Sequence, residues 1–158
     1  MAIEQVGCRD YGGGMSCVFC AIVAGDAPAV RIYEDDDYLA ILDIRPIVRG
    51  HTLVIPKKHT ADLTDTPPST VADLARIGQR IGQAARASEL RADGNNIAIN
   101  DGKAAFQSVF HIHLHVAPRQ SGDKLSFAKG LIVRRDPDLE ATGRILRDAL
   151  AKLDAVKE

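Results

Sequence analysis

The segment that decides the fold is His111-Ile112-His113-Leu114-His115. Apolar and imidazole side chains alternate strictly in it, and a β-strand sends successive side chains to opposite faces of its sheet. Ile112 and Leu114 are therefore predicted to face the core, and the three imidazoles to share the other face at intervals of about 6.5 Å. A single histidine on a strand is most often a hydrogen-bonded structural residue. Three in register favour either metal binding by neutral imidazoles or phosphorus chemistry, in which one ring attacks and its neighbours manage protons and charge.

Length and composition describe one ordinary domain. The chain has 158 residues, of which 46% are apolar, and its 20 Lys and Arg against 21 Asp and Glu give a formal net charge of -1. This balance argues against a nucleic-acid-binding protein. No stretch approaches the roughly 20 consecutive apolar residues of a membrane span, and the N-terminus lacks a signal-peptide pattern. We therefore expect a cytoplasmic protein that uses neither nucleic acid nor membrane as a partner.

Further elements around the histidine strand indicate an α+β fold. Short apolar-rich runs predict five strands, and stripes at three- and four-residue spacing predict two main helices, the first after Pro67 and the second after Pro137. We expect a mostly antiparallel five-stranded meander, with one face left open for polar chemistry. The predicted strands are Val30–Glu34, Tyr38–Asp43, His51–Pro56, Asn96–Asn100 and Phe110–Ala117.

The chain is expected to form one folded domain behind a short leader. Residues 1–15 are Gly-rich and without apolar periodicity, which is typical of a disordered segment. Residues 16–120 are expected to form the domain core. Residues 121–158 are expected to be a C-terminal extension with a helix, and part of the same domain.

The three cysteines are unevenly spaced along the chain. Cys17 and Cys20 make a C-x-x-C pair, whereas Cys8 lies apart in the predicted leader, where we expect a free thiol. In a reducing compartment such a pair indicates metal or redox chemistry rather than a disulfide framework. A redox pair would follow the strand of a βαβ unit, and Cys17 does not, so zinc is favoured. A thiol pair without metal is the alternative.

The sequence resembles the histidine triad (HIT) hydrolases. His111–Val116 with Pro118, preceded by Gln107-Ser108-Val109, is similar to the motif of that family. The resemblance spans roughly residues 16–120, in the right order throughout. It implies the HIT fold and an enzyme that cleaves a nucleoside monophosphate from an amine, a phosphate or another leaving group. The other matching stretches are Cys17–Cys20, Tyr33–Asp36, Leu42–Pro46 and Gly50–His59.

The resemblance assigns roles to the two later histidines. His113 matches the nucleophile, which forms a covalent nucleotidyl-imidazole intermediate that water resolves. Its central position, with an imidazole on each side, supports that role independently, because a nucleophilic ring must be neutral with its second nitrogen held by an acceptor. His115 then suits a phosphate contact and proton donor. A competing hypothesis makes His111, His113 and His115 the ligands of a catalytic metal.

The resemblance also implies the substrate contacts. Asp43 matches the residue that binds the ribose hydroxyls, and its alternative role is to close the turn before Pro46. Phosphate contacts are implied for Asn100, Gln107 and Ser108, although Asn100 also begins a tight-turn pattern. A slot for the base is implied for Phe19 and Ile44, with Ile22 and Leu42 beside them, and all four fit core positions equally well.

One position departs from the family pattern. A glycine commonly precedes the Gln of the motif, whereas this chain has Phe106. Glycine permits close backbone approach to a phosphate, so the departure leaves the phosphate geometry and the size of the leaving group open.

A structural zinc site is implied by the C-x-x-C pair together with two histidines. The matching ligands are Cys17, Cys20, His59 and His111, and four protein ligands leave no open position for water. His51 is the spare candidate ligand, and we expect it instead to contact the triad histidines and support them.

The leading hypothesis is a purine nucleoside phosphoramidase or related nucleotidyl hydrolase or transferase. Ser108 favours the histidine triad nucleotide-binding branch. Dinucleoside polyphosphate hydrolysis and a nucleotide-binding regulatory module are the alternatives. Family members are commonly homodimers, and Gly78 and Gly82 in the first long helix would allow close packing there.

Overall fold

The structure, a computed structural model, describes residues 17–133 and 135–156, so the predicted leader with Cys8 lies outside the described residues. Five strands and four α-helices make up this part of the chain, with a short 3₁₀ helix at Lys103–Ala105. In chain order the elements are α1 (Val18–Ala24), β1 (Arg31–Glu34), β2 (Tyr38–Leu42), β3 (Thr52–Pro56), α2 (Pro68–Ala87), β4 (Gly94–Ile99), β5 (Leu114–Arg119), α3 (Lys124–Gly130) and α4 (Leu139–Ala155).

The strands form one sheet in the order β1-β2-β3-β5-β4. Every adjacent pair is antiparallel, which confirms the predicted α+β class and five-stranded antiparallel sheet. The meander holds only for β1 to β3. Beyond them it is wrong, because the chain crosses over through α2 and places β4 at the edge, and β5 then returns between β3 and β4. This insertion puts the histidine segment beside the centre of the sheet.

The main core lies between the sheet and the two long helices. Alternate residues of the central strands, among them Leu42, Val54 and Leu114, point to this side and are almost fully buried. The helices supply the opposing layer from α2 and α4, with Leu74, Ile77, Ile81, Leu146 and Leu150. Since α4 packs on both α2 and β1, the C-terminal helix shares the core of the domain.

The opposite face of the sheet is not open as expected. Phe19 and Ile22 of α1 pack on Leu39, Ile41 and Leu53, in a second apolar cluster. Every residue of β2 and β3 is consequently buried. The polar groups of the site occupy the part of this face beside α1.

Two short helices and one strand start differ from the prediction. Both α1 and α3 have only seven residues, too few for a stripe of apolar positions to stand out. The last strand begins at Leu114 rather than Phe110, because the N–H of Ile112 donates to the Thr60 carbonyl of a loop instead of to a neighbouring strand. The other boundaries lie within a few residues of the predictions.

The two glycines of α2 serve contacts inside this chain. A Cβ at Gly78 would lie 2.7 Å from Leu114 Cδ2, and one at Gly82 would lie 3.0 Å from Asn95 Nδ2. They let α2 approach β5 and β4 closely, so the close packing expected at these glycines occurs within this chain. None of the described helices is long and apolar enough to cross a membrane.

Candidate active site and metal centre

The histidine segment keeps its alternation although only part of it lies in a strand. Ile112 and Leu114 are in the main core, as predicted. The imidazoles of His111, His113 and His115 lie on the other side, and the His113 and His115 rings are 4.8 Å apart at their centroids. The alternation of faces thus begins before the strand itself, which starts at Leu114.

His113 is held as a neutral ring with a defined tautomer. Its Nδ1 lies 2.7 Å from the carbonyl oxygen of His111. A carbonyl only accepts, so Nδ1 carries the proton and Nε2 of the neutral ring keeps its lone pair. Burial lowers the pKa of His113, more than the hydrogen bond to His111 raises it. Phe19 packs against the ring in a T-shaped arrangement, with centroids 5.0 Å apart.

His51 and His115 form a hydrogen-bonded pair. The backbone N–H of Ile47 donates to Nδ1 of His51 over 3.2 Å, and His51 Nε2 lies 3.0 Å from His115 Nδ1. In the neutral pair His51 therefore donates from Nε2, and the proton of His115 is on its own Nε2. Asp43 Oδ2 lies 3.6 Å from His51 Nδ1. The structure thus places His51 in direct contact with the third histidine, in keeping with the supporting position expected for it.

The predicted base and ribose residues differ in their surroundings. Asp43 follows β2, receives the backbone N–H of Arg45 on Oδ1, and lies beside His51. Ile44 next to it is 73% exposed. Phe19 is buried against the histidines, whereas Leu42 belongs to the core on the helix side of the sheet and does not line the histidine face.

The predicted phosphate contacts lie in and beside a tightly bonded loop. Gln107 is buried, and its Nε2 donates to the carbonyls of Ala61 and Val109 while its Oε1 accepts from the Gly102 N–H. Its own N–H donates to the Gly102 carbonyl. Gln107 thus braces the loop, and its phosphate contact stays a prediction. Ser108 is exposed and Asn100 half-buried.

Phe106 adopts a backbone conformation that glycine favours. Its φ is 66°, in the left-handed region, and its side chain is 87% exposed. The loop enforces this geometry, since the N–H of Phe106 donates to the Lys103 carbonyl. The family's glycine suits this position because of the backbone angle, which the sequence alone did not reveal.

Two substitutions separate the backbone angle from the aromatic ring. Both Phe106→Gly and Phe106→Ala remove the ring, but only glycine adopts a positive φ without strain. We expect the glycine protein to be the more stable of the two by about 1 kcal/mol. Urea unfolding of both proteins measures the difference. Equal stability, or a more stable alanine protein, would contradict the assigned backbone geometry.

Four side chains converge on one point beside the histidines. The Sγ atoms of Cys17 and Cys20 and one nitrogen each of His59 and His111 all lie within 4.8 Å of one another. Cys17 immediately precedes α1 and Cys20 is in its first turn, so the C-x-x-C spacing puts both thiols on one side of the helix. His59 comes from the loop after β3. Across the described residues no other group of three or more such ligands occurs, and neither His113 nor His115 belongs to it.

The separations fit tetrahedral zinc. His59 Nδ1 and His111 Nδ1 are 3.2 Å apart. Their distances to sulfur run from 3.3 Å, between Cys20 and His59, to 3.6 Å, between Cys20 and His111. In a tetrahedral site with bonds of about 2.3 Å to sulfur and about 2.0 Å to nitrogen, two nitrogens lie about 3.3 Å apart, and a sulfur and a nitrogen lie about 3.5 Å apart. His111 Nε2 donates to the Pro56 carbonyl over 2.8 Å, which leaves Nδ1 to bind metal. Burial lowers the pKa of His111 to about 4, so the ring is neutral, as a ligand must be.

His111 joins the two sites. Its ring is one of the four candidate ligands, and its carbonyl holds the proton of His113. The hypothesis of a catalytic metal on His111, His113 and His115 finds no support in this arrangement. Sequence reasoning missed the backbone partners of the site, Ile47, Pro56 and Thr60, because only tertiary structure brings a main-chain group to a given side chain.

Comparisons with known proteins agree on one family. The HIT domain model matches residues 24–122. Over 144 residues the chain is 70% identical to an uncharacterised HIT-like protein of Mycobacterium tuberculosis, which covers 91% of this chain and 99% of that protein. It is 35% identical over 142 residues to an adenosine 5'-monophosphoramidase of Saccharomyces cerevisiae, with 88% of this chain and 84% of that protein covered.

A solved structure also matches this chain over most of its length. The zinc-bound histidine triad family protein of Mycobacterium smegmatis matches with a TM-score of 0.84 and 73% identity, over 91% of this chain and 99% of that one. The fold, the histidine segment and the domain match together lead to one assignment: this chain belongs to the HIT family.

Proposed function

We propose that the chain is a nucleotidyl hydrolase or transferase that acts on purine nucleoside phosphoramidates, or on related conjugates of a nucleoside monophosphate, through a covalent intermediate on His113. The hydrogen bond from His113 Nδ1 to the His111 carbonyl, at 2.7 Å, carries the proposal. It directs the lone pair to Nε2 and fixes the ring of the nucleophile. The relationship to a monophosphoramidase supports the substrate class.

In the first step His113 Nε2 attacks the phosphorus of the nucleoside monophosphate. A bond forms between Nε2 and phosphorus, the bond from phosphorus to the leaving nitrogen breaks, and the amine leaves with a proton from His115 Nε2. In the second step water attacks phosphorus, the bond to His113 breaks, and the proton of the water returns to His115. The products are the free amine and the nucleoside monophosphate.

His51 supplies the proton that His115 gives away. To give a proton away, the pair must hold one more than its neutral form. Only one proton fits between His51 Nε2 and His115 Nδ1, so the added proton is on His51 Nδ1, which then gives up the Ile47 N–H and faces the Asp43 carboxylate. As His115 releases its Nε2 proton, it recovers one at Nδ1 from His51. The Asp43 carboxylate, 3.6 Å from His51, offsets the charge of the protonated pair.

The remaining site residues bind and position the substrate. Asp43 accepts hydrogen bonds from the ribose hydroxyls. Phe19 and Ile44 flank the base. The phosphate is contacted by Asn100 and Ser108. Gln107 positions the loop that carries Ser108, since all its side-chain groups bond within that loop and its neighbours.

The metal in this proposal is structural zinc on Cys17, Cys20, His59 and His111. Zinc would supply cross-links between α1, the loop after β3 and the histidine segment, with no open coordination position. The proposed enzyme is a homodimer in solution, and the exposed edge strand β4, where Ile97 is 45% exposed, is the surface available for pairing.

The substrate class is tested by comparing two leaving groups. We expect kcat/KM for adenosine phosphoramidate to exceed that for diadenosine tetraphosphate, both measured without added metal. A reversed preference would favour the alternative, a dinucleoside polyphosphate hydrolase. Nucleotide binding without turnover of either would favour a regulatory module.

A further inference from the structure

A cavity lies away from the histidines. It has a volume of about 550 Å³ and lies between the loop before β3, the ends of α2 and β5, and α3 with the segment that follows it. None of the histidines and none of the proposed substrate contacts lines it. Its apolar wall consists of Ile47, Val48, Leu90, Pro118 and Val133.

The cavity carries an excess of positive charge. Arg49, Lys129 and Arg135 line it, and within residues 17–133 and 135–156 no carboxylate lies within 4.0 Å of any of the three. Two carboxylates are also in the wall, those of Glu89 and Asp123. Asp123, however, is bound by both Nε and one terminal nitrogen of an arginine outside the cavity, Arg119, at 2.8 and 2.6 Å. Three cations against Glu89 alone leave an uncompensated charge of about +2.

The backbone that presents these cations is closely packed. A Cβ at Gly130 would lie 1.9 Å from the carbonyl oxygen of Ile47, so the end of α3 rests directly on the loop that carries Arg49. Arg49 Nε donates to Thr142 Oγ1 of α4 over 2.9 Å. The three cations thus come from three different parts of the chain onto one cavity.

We propose that this cavity binds a small molecule that bears a phosphate group, as a second ligand beside the nucleotide. A phosphate monoester carries a charge of about -1.5 to -2 at pH 7, which matches the uncompensated charge better than a carboxylate does. Guanidinium groups suit its oxygens, and the apolar wall suits a nonpolar body. The cavity volume lies in the usual range for small-molecule sites, about 300–1,000 Å³.

Binding of inorganic phosphate, followed by broadening of its ³¹P resonance, tests the proposal. We expect Lys129→Gln and Arg135→Gln each to lower the affinity of the cavity for phosphate about tenfold, since each substitution removes one charged contact. Lys124→Gln is the matched control, because Lys124 is an exposed residue of the same helix that does not line the cavity. Phosphate bound at the histidines contributes equally to all four proteins, as none of these residues lies there.

The competing anions identify the class of ligand. Sulfate should displace phosphate from the unchanged protein and from the Lys124→Gln control, whereas acetate at the same concentration should not. Equal phosphate affinity in all four proteins would overturn the proposal, and displacement by acetate would assign the cavity to carboxylates instead. No turnover is measured, so the result is independent of the proposed hydrolase activity.

Discussion

Replacing His113 with alanine is expected to lower turnover of adenosine phosphoramidate at least about 1,000-fold while AMP binding stays near that of the unchanged protein. The alanine protein has no nitrogen to attack phosphorus, and the remaining histidines have other tasks. The His111 ring is one of the four candidate metal ligands, and His115 is hydrogen-bonded to His51. Steady-state kinetics and calorimetric titration with AMP measure the two quantities separately.

The His113→Ala protein needs a control for its fold. Its zinc content serves this purpose, because all four candidate metal ligands remain and the metal group forms only when α1 and the histidine segment are in place. A zinc-loaded His113→Ala protein that retains turnover would contradict covalent catalysis by this residue. Loss of AMP binding together with turnover would point to a structural or binding role for the ring instead.

Removal of one metal ligand is expected to have the second large effect. In a Cys20→Ala protein zinc binding should be lost, the free energy of unfolding should fall by several kcal/mol, and turnover should fall about 10- to 100-fold. Turnover falls because His111 is then free to shift, and its carbonyl oxygen accepts the hydrogen bond from His113 Nδ1 over 2.7 Å. Elemental analysis, urea unfolding and kinetics on one preparation measure all three.

A neighbouring change and a metal exchange make the zinc result specific. Lys58→Ala alters the exposed residue beside His59 and should leave zinc content and turnover unchanged. Cadmium-substituted protein should keep turnover close to that of the zinc protein, since a fully ligated metal performs no chemistry. A zinc-to-protein ratio near zero in protein purified without added metal would refute zinc binding. A large loss of activity with cadmium would argue for a catalytic metal.

The histidine segment was the most predictable part of the molecule. Alternation at a period of two places Ile112 and Leu114 in the core and the imidazoles opposite, and this holds although the strand begins only at Leu114. The metal group was predictable for a similar reason. Residues at i and i+3 of one turn face the same way, so Cys17 and Cys20 act as a local unit that the family resemblance joins to His59 and His111.

The rest depends on contacts between distant parts of the chain. Nothing in the sequence of β4 or β5 specifies that the later strand lies inside the earlier one, since strand order follows from how the layers pack. The short helix α1 was hidden because seven residues hold too little periodicity. The four hydrogen bonds by which Gln107 braces its loop and contacts Ala61 could not be predicted from the sequence. The motif identified the residue, but its hydrogen-bond partners were visible only in the structure.

The most direct test of the central claim is to isolate the covalent intermediate. The unchanged protein is mixed with adenosine phosphoramidate, quenched within one turnover in alkaline denaturant, which preserves a phosphorus–nitrogen bond, and digested for mass spectrometry. We predict an added adenylyl group on the peptide that contains His113, and none in the His113→Ala protein. Turnover in the same sample without any adduct, or an adduct on a different residue, would contradict the account.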